Sequence, residues 1–568
     1  MLLSKVQVRN FRGFESIDVE LDPLTVLIGE NNSGKTSFLE AIRLCLSRNI
    51  ARRGSPLDDY DYHLSTAAAQ PQDAHPLSIT LDFLAPDDLP DEVIQTLGDI
   101  RVFDGEGRGH VLLRLNSAFD EGLKDFVSDW AFLDCEENSL PPKTKRPQVL
   151  AAFLQLKPVF FLSALRDAAR EFAGRSTFWA PFMRHTGIPQ ELREKLAAEL
   201  AALNDEVLKA HEPLQAIKTH LAKCRDILSS GKAGVVDIEA LPGRVSDLLA
   251  RAQVSISAQT GAKLPLTRHG SGTQSLSVLF LFEAFLATML TEQYDEYSEP
   301  MLTLEEPEAH LHPSAIRSLW SALEAIPGQK LVATHSGDLL ARVPVARIRR
   351  FARREGKVHV FRVSPATLSA EEQRKIDFHV RSSRGDLFFA RCWLLVEGES
   401  EYWALSELAI LMDLDLDRLG IRIVNHKNSG VEPLVKLANA LGIEWFLLAD
   451  GDAAGKQDEV ICSAHLQGRQ AQRHIRVLDH ANIEVMLCEA GFGDVFKSHI
   501  SQQKANTITL GEGDAGYWDQ VLRALDRTPK PQVIREVMDR VQQGGLDSAP
   551  ESLREALQAA KALADGQS

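Results

Sequence analysis

The chain has few cysteines, no long hydrophobic run and no excess of positive charge, and each shortage excludes a class of protein. Its six cysteines are scattered without CxxC spacing, so neither a disulfide framework nor a zinc knuckle is expected. Its longest apolar stretches, such as 26–28 and 277–290, are too short or carry a glutamate, so no membrane-spanning helix is expected. The first residues lack the basic and apolar segments of a secretory signal, which predicts a cytoplasmic location.

The charge balance is acidic, with 79 Asp and Glu against 63 Lys and Arg and a formal net charge of -16. This balance argues against a uniformly basic, histone-like DNA binder, although a local basic patch can still hold phosphates. Hydrophobic residues make up 44% and charged residues 25% of the chain, as in folded globular proteins. A chain of 568 residues is too long for one core, so several domains are expected.

The hydrophobic pattern predicts an α/β fold with two successive domains. An apolar strand at 24–28 runs into a glycine-rich loop and a helix, and strand–helix–strand alternation returns near 302–334 after a mostly helical stretch. A second alternation begins at 393 and leads into a helix-rich tail. The predicted boundaries are 1–168 and 252–385 for a divided first domain, 169–251 for a helical insertion, and 386–568 for the second domain with its tail.

A complete phosphate-binding loop follows the first buried strand. Residues 29–36 read Gly-Glu-Asn-Asn-Ser-Gly-Lys-Thr, which satisfies the P-loop pattern in the strand–loop–helix context that it requires. Backbone N–H groups curl around the phosphates, Lys35 reaches the β and γ groups, and the Thr36 hydroxyl ligates Mg²⁺. The predicted nucleotide-binding residues here are Gly29, Asn31, Asn32, Ser33, Gly34, Lys35 and Thr36.

Three further segments follow the loop along the chain. Ser271, Gly272 and Gln274 lie in a glycine-rich segment that opens an apolar helix, whose first N–H groups suit a phosphate. An apolar strand then ends in Glu305 and Glu306, a Walker B pattern in which Glu305 holds the metal ion and Glu306 polarises the attacking water. Finally, a histidine, His335, ends the strand 331–334.

Together these segments resemble the ABC-type ATPases of the RecF and SMC kind. The resemblance implies that ATP is sandwiched between the phosphate loop of one chain and the signature segment, 270–274, of another. It therefore implies a homodimer or higher even oligomer and casts His335 as the switch histidine. Leucines at 192, 196, 200 and 203 line one face of a predicted helix, and this stripe suits either a dimer interface or packing on its own head. Glu305 departs from the pattern, since many ABC proteins carry Asp there.

Acidic residues follow two buried strands of the second domain. Glu397 and Glu401 come after the strand 393–396, and Asp450 and Asp452 come after 445–449. The carboxyl ends of strands in an open parallel sheet lie side by side, so these carboxylates are expected to meet. Carboxylate oxygens are the ligands that Mg²⁺ prefers. The sequence therefore predicts a two-metal site for Mg²⁺ or Mn²⁺.

This pair of clusters resembles a TOPRIM domain, and an ABC-type head followed by TOPRIM is similar to the OLD (overcoming lysogenization defect) family of nucleases, which includes the nuclease subunit of the Gabija antiphage system. The resemblance implies that Glu397, Asp450 and Asp452 carry out metal-dependent DNA cleavage. It adds Glu484 as a metal ligand, although a helix-surface position fits equally, and Lys530 as a catalytic lysine, although its flanking prolines also fit a loop. It further implies a role in antiphage defence and a helicase-like partner protein.

A basic run lies between the two domains, with one acid, Glu355, in its midst. Two interpretations stay open: the run neutralises a DNA backbone, or it is a solvated charged face. The residues concerned are Arg342, Arg347, Arg349, Arg350, Arg353, Arg354 and Lys357.

The leading functional hypothesis is an ATP-binding, metal-dependent DNA endonuclease regulated by its ATPase head. The first alternative is a DNA-repair ATPase scaffold with a non-catalytic TOPRIM domain, against which the full set of acidic residues argues. The second is a topoisomerase or primase. The only tyrosine beside the acidic cluster, Tyr402, is a poor nucleophile candidate for a topoisomerase, and no cysteine quartet suits a primase.

Overall fold

The computed structural model describes residues 1–47, 57–66, 68–163, 188–223, 240, 245, 255–257, 263–294, 296–309, 311–383, 385–526 and 530–566. They form two compact units. The first contains Met1–Ser163, Glu299–Glu308 and Pro313–Ser568, and the second contains the described parts of 164–298 and 309–312. The phosphate loop and the acidic clusters therefore share the first unit, whereas the signature segment belongs to the second.

Strands and helices alternate along most of the described chain. The strands are β1 Leu2–Phe11, β2 Phe14–Glu20, β3 Leu24–Gly29, β4 Leu77–Leu84, β5 Val102–Phe103, β6 Gly109–Asp120, β7 Asp125–Leu133, β8 Val159–Ser163, β9 Ser255–Ser257, β10 Lys263–Pro265, β11 Met301–Glu305, β12 Gln329–Ala333, β13 Ile348–Arg354, β14 Lys357–Arg362, β15 Cys392–Val396, β16 Ile421–Asn425, β17 Glu444–Ala449 and β18 Ile475–Val477. The α-helices are Lys35–Cys45, Asp91–Leu97, Pro147–Leu156, Gln190–Ala210, Glu212–Lys223, Ser271–Gln293, Pro313–Ala325, Gly337–Leu340, Ala370–Ser383, Glu399–Leu411, Leu416–Leu419, Val431–Ala440, Ala453–Ala464, Ala471–His474, Ile483–Leu487, Gly493–Ser498, Gln502–Ala505, Tyr517–Ala524, Lys530–Gly544 and Glu551–Asp565.

The first half of the first unit is built on two sheets. One is antiparallel, with the order β2-β1-β4-β6-β5 and β7 paired to β6. The other has the order β14-β13-β3-β12-β11-β8, and its strands from β13 to β8 are parallel. Every residue of β3 and of β12 is buried, as expected for strands covered on both faces. The carboxyl ends of β3, β12 and β11 meet at one edge of this second sheet, where the phosphate loop, His335 and Glu305 lie.

The second half of the first unit is a four-stranded parallel sheet with the order β16-β15-β17-β18. All five residues of β15 are buried, and the two C-terminal helices contribute buried side chains such as Val537 and Leu557 to the same core. The predicted α/β class, an ABC-type head followed by a TOPRIM sheet, is confirmed. Glu397 and Asp450 follow the neighbouring strands β15 and β17.

Two arginines in the middle of the basic run, Arg349 and Arg350, are buried, which corrects both interpretations for these two residues. Arg349 is 2% exposed, and its guanidinium donates to Asp22 Oδ2 at 2.8 Å. Arg350 is 3% exposed and donates to backbone carbonyls on the TOPRIM side, among them Ala390 at 2.8 Å and Gly442 at 3.1 Å. These two guanidinium groups bind acceptors within the protein and do not face DNA or water. A charge pattern does not reveal this, because the partner carbonyls come from distant parts of the chain.

The second unit contains the helices Gln190–Ala210, Glu212–Lys223 and Ser271–Gln293 and the antiparallel pair β9-β10. Leu192 and Leu203 are 46% and 49% exposed, whereas Leu196 and Leu200 are partly buried. The homodimer stays a prediction. None of the described helices is both long and apolar enough to cross a membrane.

Candidate nucleotide and metal sites

Two glycines shape the phosphate loop, because each has a positive φ and no space for a Cβ atom. Gly29 has φ 149°, and a Cβ there would lie 2.2 Å from the carbonyl oxygen of Phe351. Gly34 has φ 101°, and a Cβ there would lie 2.5 Å from the ring of Phe14. The helix Lys35–Cys45 begins directly after Gly34. The loop therefore curls tightly in front of a helix N-terminus, the arrangement that binds phosphate.

Lys35 lies inside this loop and is 7% exposed. Its Nζ donates to the carbonyl oxygens of Gly29 at 2.9 Å and Glu30 at 3.0 Å. Burial lowers the pKa of Lys35 to about 8, and the charges of Glu306, Glu30 and Glu305 act in the opposite direction. The Walker B carboxylates are thus electrostatic neighbours of the loop lysine.

Glu306 has an uncommon backbone conformation for a non-glycine residue, with φ 46°. Its N–H donates to the carbonyl oxygen of Ala333 at 2.8 Å, which ties it to the end of β12. Strained residues of this kind concentrate at functional sites. Glu305, the last residue of β11, pairs in register with Ala333.

His335 lies near Lys35 and Glu306. Burial lowers its pKa first, the charge of Lys35 lowers it further, and the charge of Glu306 raises it. The backbone N–H of His335 and the hydroxyl of Thr334 both donate to Glu308 Oε1, at 3.2 Å and 2.5 Å. Three separate motifs, the loop lysine, the Walker B carboxylates and the switch histidine, therefore meet at one edge of the parallel sheet.

Glu306→Gln is expected to bind ATP and to hydrolyse it about 100-fold more slowly, because the amide keeps the shape of the side chain but does not polarise water. Single-turnover hydrolysis with Mg²⁺ measures the change. Glu355→Gln is the matched control, since Glu355 also has a positive φ, 50°, but is exposed at the β13–β14 turn. Normal turnover in Glu306→Gln would remove Glu306 from the predicted role.

The predicted signature residues open the helix Ser271–Gln293 of the second unit. Gln274 donates from Nε2 to the carbonyl oxygen of His269 at 2.7 Å, which joins the helix start to the segment before it. Whether Ser271, Gly272 and Gln274 approach the nucleotide of another chain stays a prediction.

The acidic residues near the four-stranded parallel sheet β16-β15-β17-β18 form one cluster around Asp450. Asp450 is 8% exposed. Burial raises its pKa to about 8, and the charges of Glu401, Glu397, Glu484 and Asp452 raise it in that order. The structure thus brings together five carboxylates that are up to 87 residues apart in the sequence.

Glu401, Glu484 and Asp452 are each held by hydrogen bonds. Glu401 Oε2 accepts from the N–H of Gly398 at 2.9 Å. The hydroxyl of Ser400 donates to Glu484 Oε1 at 2.8 Å, and both residues are buried. Asp452 Oδ1 caps the helix Ala453–Ala464 by accepting from the N–H groups of Ala454 and Gly455 at 2.9 Å. Hydrogen bonds within the protein therefore orient three of the five carboxylates at this edge of the sheet.

The cluster fits divalent cations by its chemistry. Five neighbouring carboxylates, one with a strongly raised pKa, repel one another, and a hard cation with oxygen ligands relieves that repulsion. Among the residues that the structure describes, no group of three or more His, Cys, Asp or Glu side chains is placed so that it could hold a metal ion. A bound ion would therefore have to draw these side chains together.

Lys530, the predicted catalytic lysine, is the first residue of the helix Lys530–Gly544. Its side chain lies outside the described part of the structure, so its catalytic role stays a prediction.

Sequence reasoning missed some side chains near the two sites. Asp458 and His426 lie close to the TOPRIM cluster, and Glu30 and Arg391 join the phosphate loop to β15. His426 directly follows strand β16, so its position at a strand end was the available signal. For the ion pair no signal existed, because 361 positions separate its members.

Two family models match the chain. One, described as "Protein of unknown function (DUF2813)", matches residues 1–386. The other, described as "Overcoming lysogenization defect protein-like, TOPRIM domain", matches residues 388–452. The first match ends before strand β15, and the second covers strands β15, β16 and β17.

Full-length relatives are also similar to this chain. "Uncharacterized protein YbjD" of Escherichia coli K12 is 30% identical over 562 residues, which cover 98% of this chain and 97% of that protein. "OLD nuclease" of Thermus scotoductus is 26% identical over 573 residues, which cover 95% of this chain and 99% of that protein. A solved structure of the C-terminal region of the Burkholderia pseudomallei OLD protein is 22% identical, with a TM-score of 0.27, and covers 31% of this chain and 99% of that one.

Proposed function

Since the chain belongs to the DUF2813 family and to the OLD (overcoming lysogenization defect) family, we propose that it is an ATP-binding, metal-dependent DNA endonuclease. Its TOPRIM site cleaves the phosphodiester bond, and its ABC-type head controls that cleavage. The observation that carries the proposal is the buried Asp450, whose pKa is raised to about 8 by burial and then by the charges of four surrounding carboxylates. A scaffold with no need for metal ions would gain stability by losing such a cluster.

In this proposal Glu397, Glu401, Asp450, Asp452 and Glu484 hold two Mg²⁺ or Mn²⁺ ions. The ions supply Lewis-acid stabilisation of the attacking and leaving oxygens in an in-line displacement. The protein itself positions the carboxylates: the Ser400 hydroxyl orients Glu484, the Gly398 N–H orients Glu401, and the helix cap orients Asp452. Lys530 assists cleavage from the start of its helix.

In the head, Lys35 contacts the β and γ phosphates of ATP, Thr36 and Glu305 hold its Mg²⁺, and Glu306 and His335 act on the γ phosphate. Ser271, Gly272 and Gln274 of a second chain complete the site, so the working form is a homodimer or higher even oligomer. The protein acts in the cytoplasm, in antiphage defence, with a helicase-like protein as a further partner.

Control by the head is supported by an ion pair between the two sites. The guanidinium of Arg391 binds Glu30 of the phosphate loop through two hydrogen bonds, from Nε at 2.6 Å and from Nη2 at 2.9 Å. Arg391 also lowers the pKa of Glu30. Arg391 directly precedes β15, and β15 ends at the residue before Glu397. A change of the loop on nucleotide binding thus reaches the metal site along one short strand.

Arg391→Ala is expected to reduce the effect of ATP on the cleavage rate by about fivefold or more, whether ATP activates or inhibits cleavage. The reason is that the Arg391–Glu30 ion pair contributes a coupling free energy of about 1 kcal/mol or more between the two sites. Cleavage rates with and without ATP measure it. Arg422→Ala is the matched control, since Arg422 pairs with Asp417 on its own domain. An unchanged ratio in Arg391→Ala would contradict this route.

The experiment that tests the function is incubation of the purified chain with supercoiled plasmid and Mg²⁺ or Mn²⁺, with and without ATP. Nicked or linear plasmid that appears with metal ions and disappears with a chelator is the expected result. Intact plasmid under all of these conditions, with ATP hydrolysis present, would favour the scaffold alternative.

A further inference from the structure

The turn that leads into the TOPRIM sheet reaches the nucleotide site of the head. This short 3₁₀ turn, Asp386–Phe389, ends two residues before Arg391, which precedes β15. The ring of Phe389 faces the ring of His335, with the ring centroids 6.3 Å apart and the ring planes 17° apart. Rings with this separation and angle form an offset stack. The predicted switch histidine therefore has a ring partner on the TOPRIM side.

The backbone on both sides of Phe389 is fixed by one buried guanidinium group. Arg350 donates from Nε to the carbonyl oxygen of Phe388 at 3.3 Å and from Nη2 to that of Ala390 at 2.8 Å. Because Arg350 is 3% exposed and belongs to β13 of the head, these bonds fasten the turn to the head. The position of the Phe389 ring is therefore set by the fold.

The start of the same turn packs against the helix that follows His335. Gly385 has φ 68°, and a Cβ there would lie 2.8 Å from the carbonyl oxygen of Gly337 and 3.0 Å from the Cβ of Leu340. Such a close approach at positive φ requires glycine. Gly337 and Leu340 are the two ends of a short helix that begins two residues after His335. The turn thus contacts the switch histidine at its end and the following helix at its start.

The imidazole of His335 needs a neighbour to hold its orientation. Its backbone is fixed, since its N–H donates to Glu308 Oε1 at 3.2 Å, but its side chain is exposed. An exposed side chain moves among several rotamers, which carry its ring nitrogens to different positions. A group that acts on a reacting phosphate must keep a narrow geometry. A fixed ring stacked on one face of the imidazole restricts this motion.

We propose that Phe389 is a positioning residue for ATP hydrolysis, whose ring holds the imidazole of His335 in the orientation that acts on the γ phosphate. The inference rests on the role of His335 in the function proposed above. Phe389 itself acts only through the histidine. Since Phe389 belongs to the segment that leads into β15, the ATPase site is complete only when the TOPRIM sheet is docked on the head.

Steady-state ATP hydrolysis by the full chain with Mg²⁺ tests this role. Phe389→Leu keeps an apolar side chain but removes the ring, so kcat should fall about fivefold, the size of effect expected for one ring contact. KM for ATP should change by less than about twofold, because the stack acts on the hydrolysis step and not on binding. Phe389→Tyr keeps the ring and should retain the kcat of the parent. Phe378→Leu is the matched control, since Phe378 is 64% exposed on the helix Ala370–Ser383.

His335→Ala tests whether Phe389 acts through the histidine. Once the imidazole is absent, Phe389→Leu should cause no further loss of kcat, whereas a general effect on folding would add to the loss. Three results would each overturn the inference: a normal kcat in Phe389→Leu, an equal loss in Phe389→Tyr, or an undiminished loss from Phe389→Leu in the His335→Ala background.

The same variants separate this inference from the proposed function. Slow hydrolysis by His335→Ala with normal hydrolysis by Phe389→Leu contradicts the inference alone. Normal hydrolysis by His335→Ala contradicts the role of the histidine and, with it, the inference. Intact plasmid in the presence of Mg²⁺ or Mn²⁺, together with the expected pattern of hydrolysis rates, contradicts the nuclease function alone.

Discussion

Asp450→Asn is expected to reduce DNA cleavage by about 100-fold or more while ATP hydrolysis persists. The substitution keeps the size of the side chain but removes one carboxylate oxygen from the centre of the cluster, which weakens ion binding and misplaces the water that attacks the phosphate. In the proposed function, ATP hydrolysis uses Lys35, Glu305 and Glu306, which lie at a different sheet. Plasmid cleavage with Mn²⁺ and ATP turnover, measured on the same preparation, give the two rates.

The folded state of this variant is tested by its stability without metal ions. The pKa of Asp450 is raised to about 8 in the folded chain, from a usual 3.8, so the folded state binds a proton more tightly than the unfolded state does. Stability of the parent is therefore lost as the pH rises from about 4 to about 8. Because asparagine does not titrate, the variant does not lose stability in this way as the pH rises. In a chelator, Asp450→Asn is expected to unfold at a higher temperature than the parent, with a gap that widens between pH 5 and pH 8.

Asp413→Asn is the matched control for both measurements, because Asp413 is exposed and its positive φ, 56°, suits asparagine as well as aspartate. It should change neither cleavage nor stability. Cleavage that survives Asp450→Asn, Asp452→Asn and Glu397→Gln alike would mean that the nuclease function proposed for the TOPRIM site is wrong.

The fold class and the sheet edges were predictable because the chemistry of both sites lies at strand ends. The P-loop follows β3, Glu305 ends β11, and Asp450 follows β17, and each strand is a short buried run that the hydrophobic pattern marks. In a parallel sheet such ends meet whatever the sequence distance between them. The α/β class and the convergence of the motifs therefore follow from local patterns.

The features that the sequence did not reveal are contacts between residues that are far apart along the chain. Arg350 stands in a run that suggested a DNA contact, yet it is buried against carbonyls some 40 and 90 positions away. Asp458 looks like an ordinary helix-surface acid until the fold places it near Glu397. The pairing of Glu30 with Arg391 likewise requires the two domains to be docked. Local patterns specify strands and loops, but not which side chains the docking of domains brings together.

Lys35→Ala is expected to weaken ATP binding by about 100-fold or more. The ammonium group of Lys35 is the main point charge available to the β and γ phosphates, and two charge-assisted hydrogen bonds of about 1.5 kcal/mol each correspond to that factor. The TOPRIM carboxylates lie on a separate sheet, so Mn²⁺ binding in the absence of nucleotide should be unchanged. Titration with a fluorescent ATP analogue measures the affinity, and Lys375→Ala, which removes an exposed lysine paired with Glu371, is the control.

The pH dependence of ATP binding tests the same lysine in the unmodified protein. The pKa of Lys35 is lowered to about 8 by burial, and only its charged form attracts phosphate. Below pH 8 the lysine is already charged, and above pH 8 a proton must be taken up on binding. ATP affinity of the parent should therefore fall by up to tenfold per pH unit above pH 8, and the much weaker binding by Lys35→Ala should not show this fall. Equal affinities of the parent and Lys35→Ala at pH 7, or the same fall above pH 8 in both, would contradict the role of Lys35 in the phosphate loop.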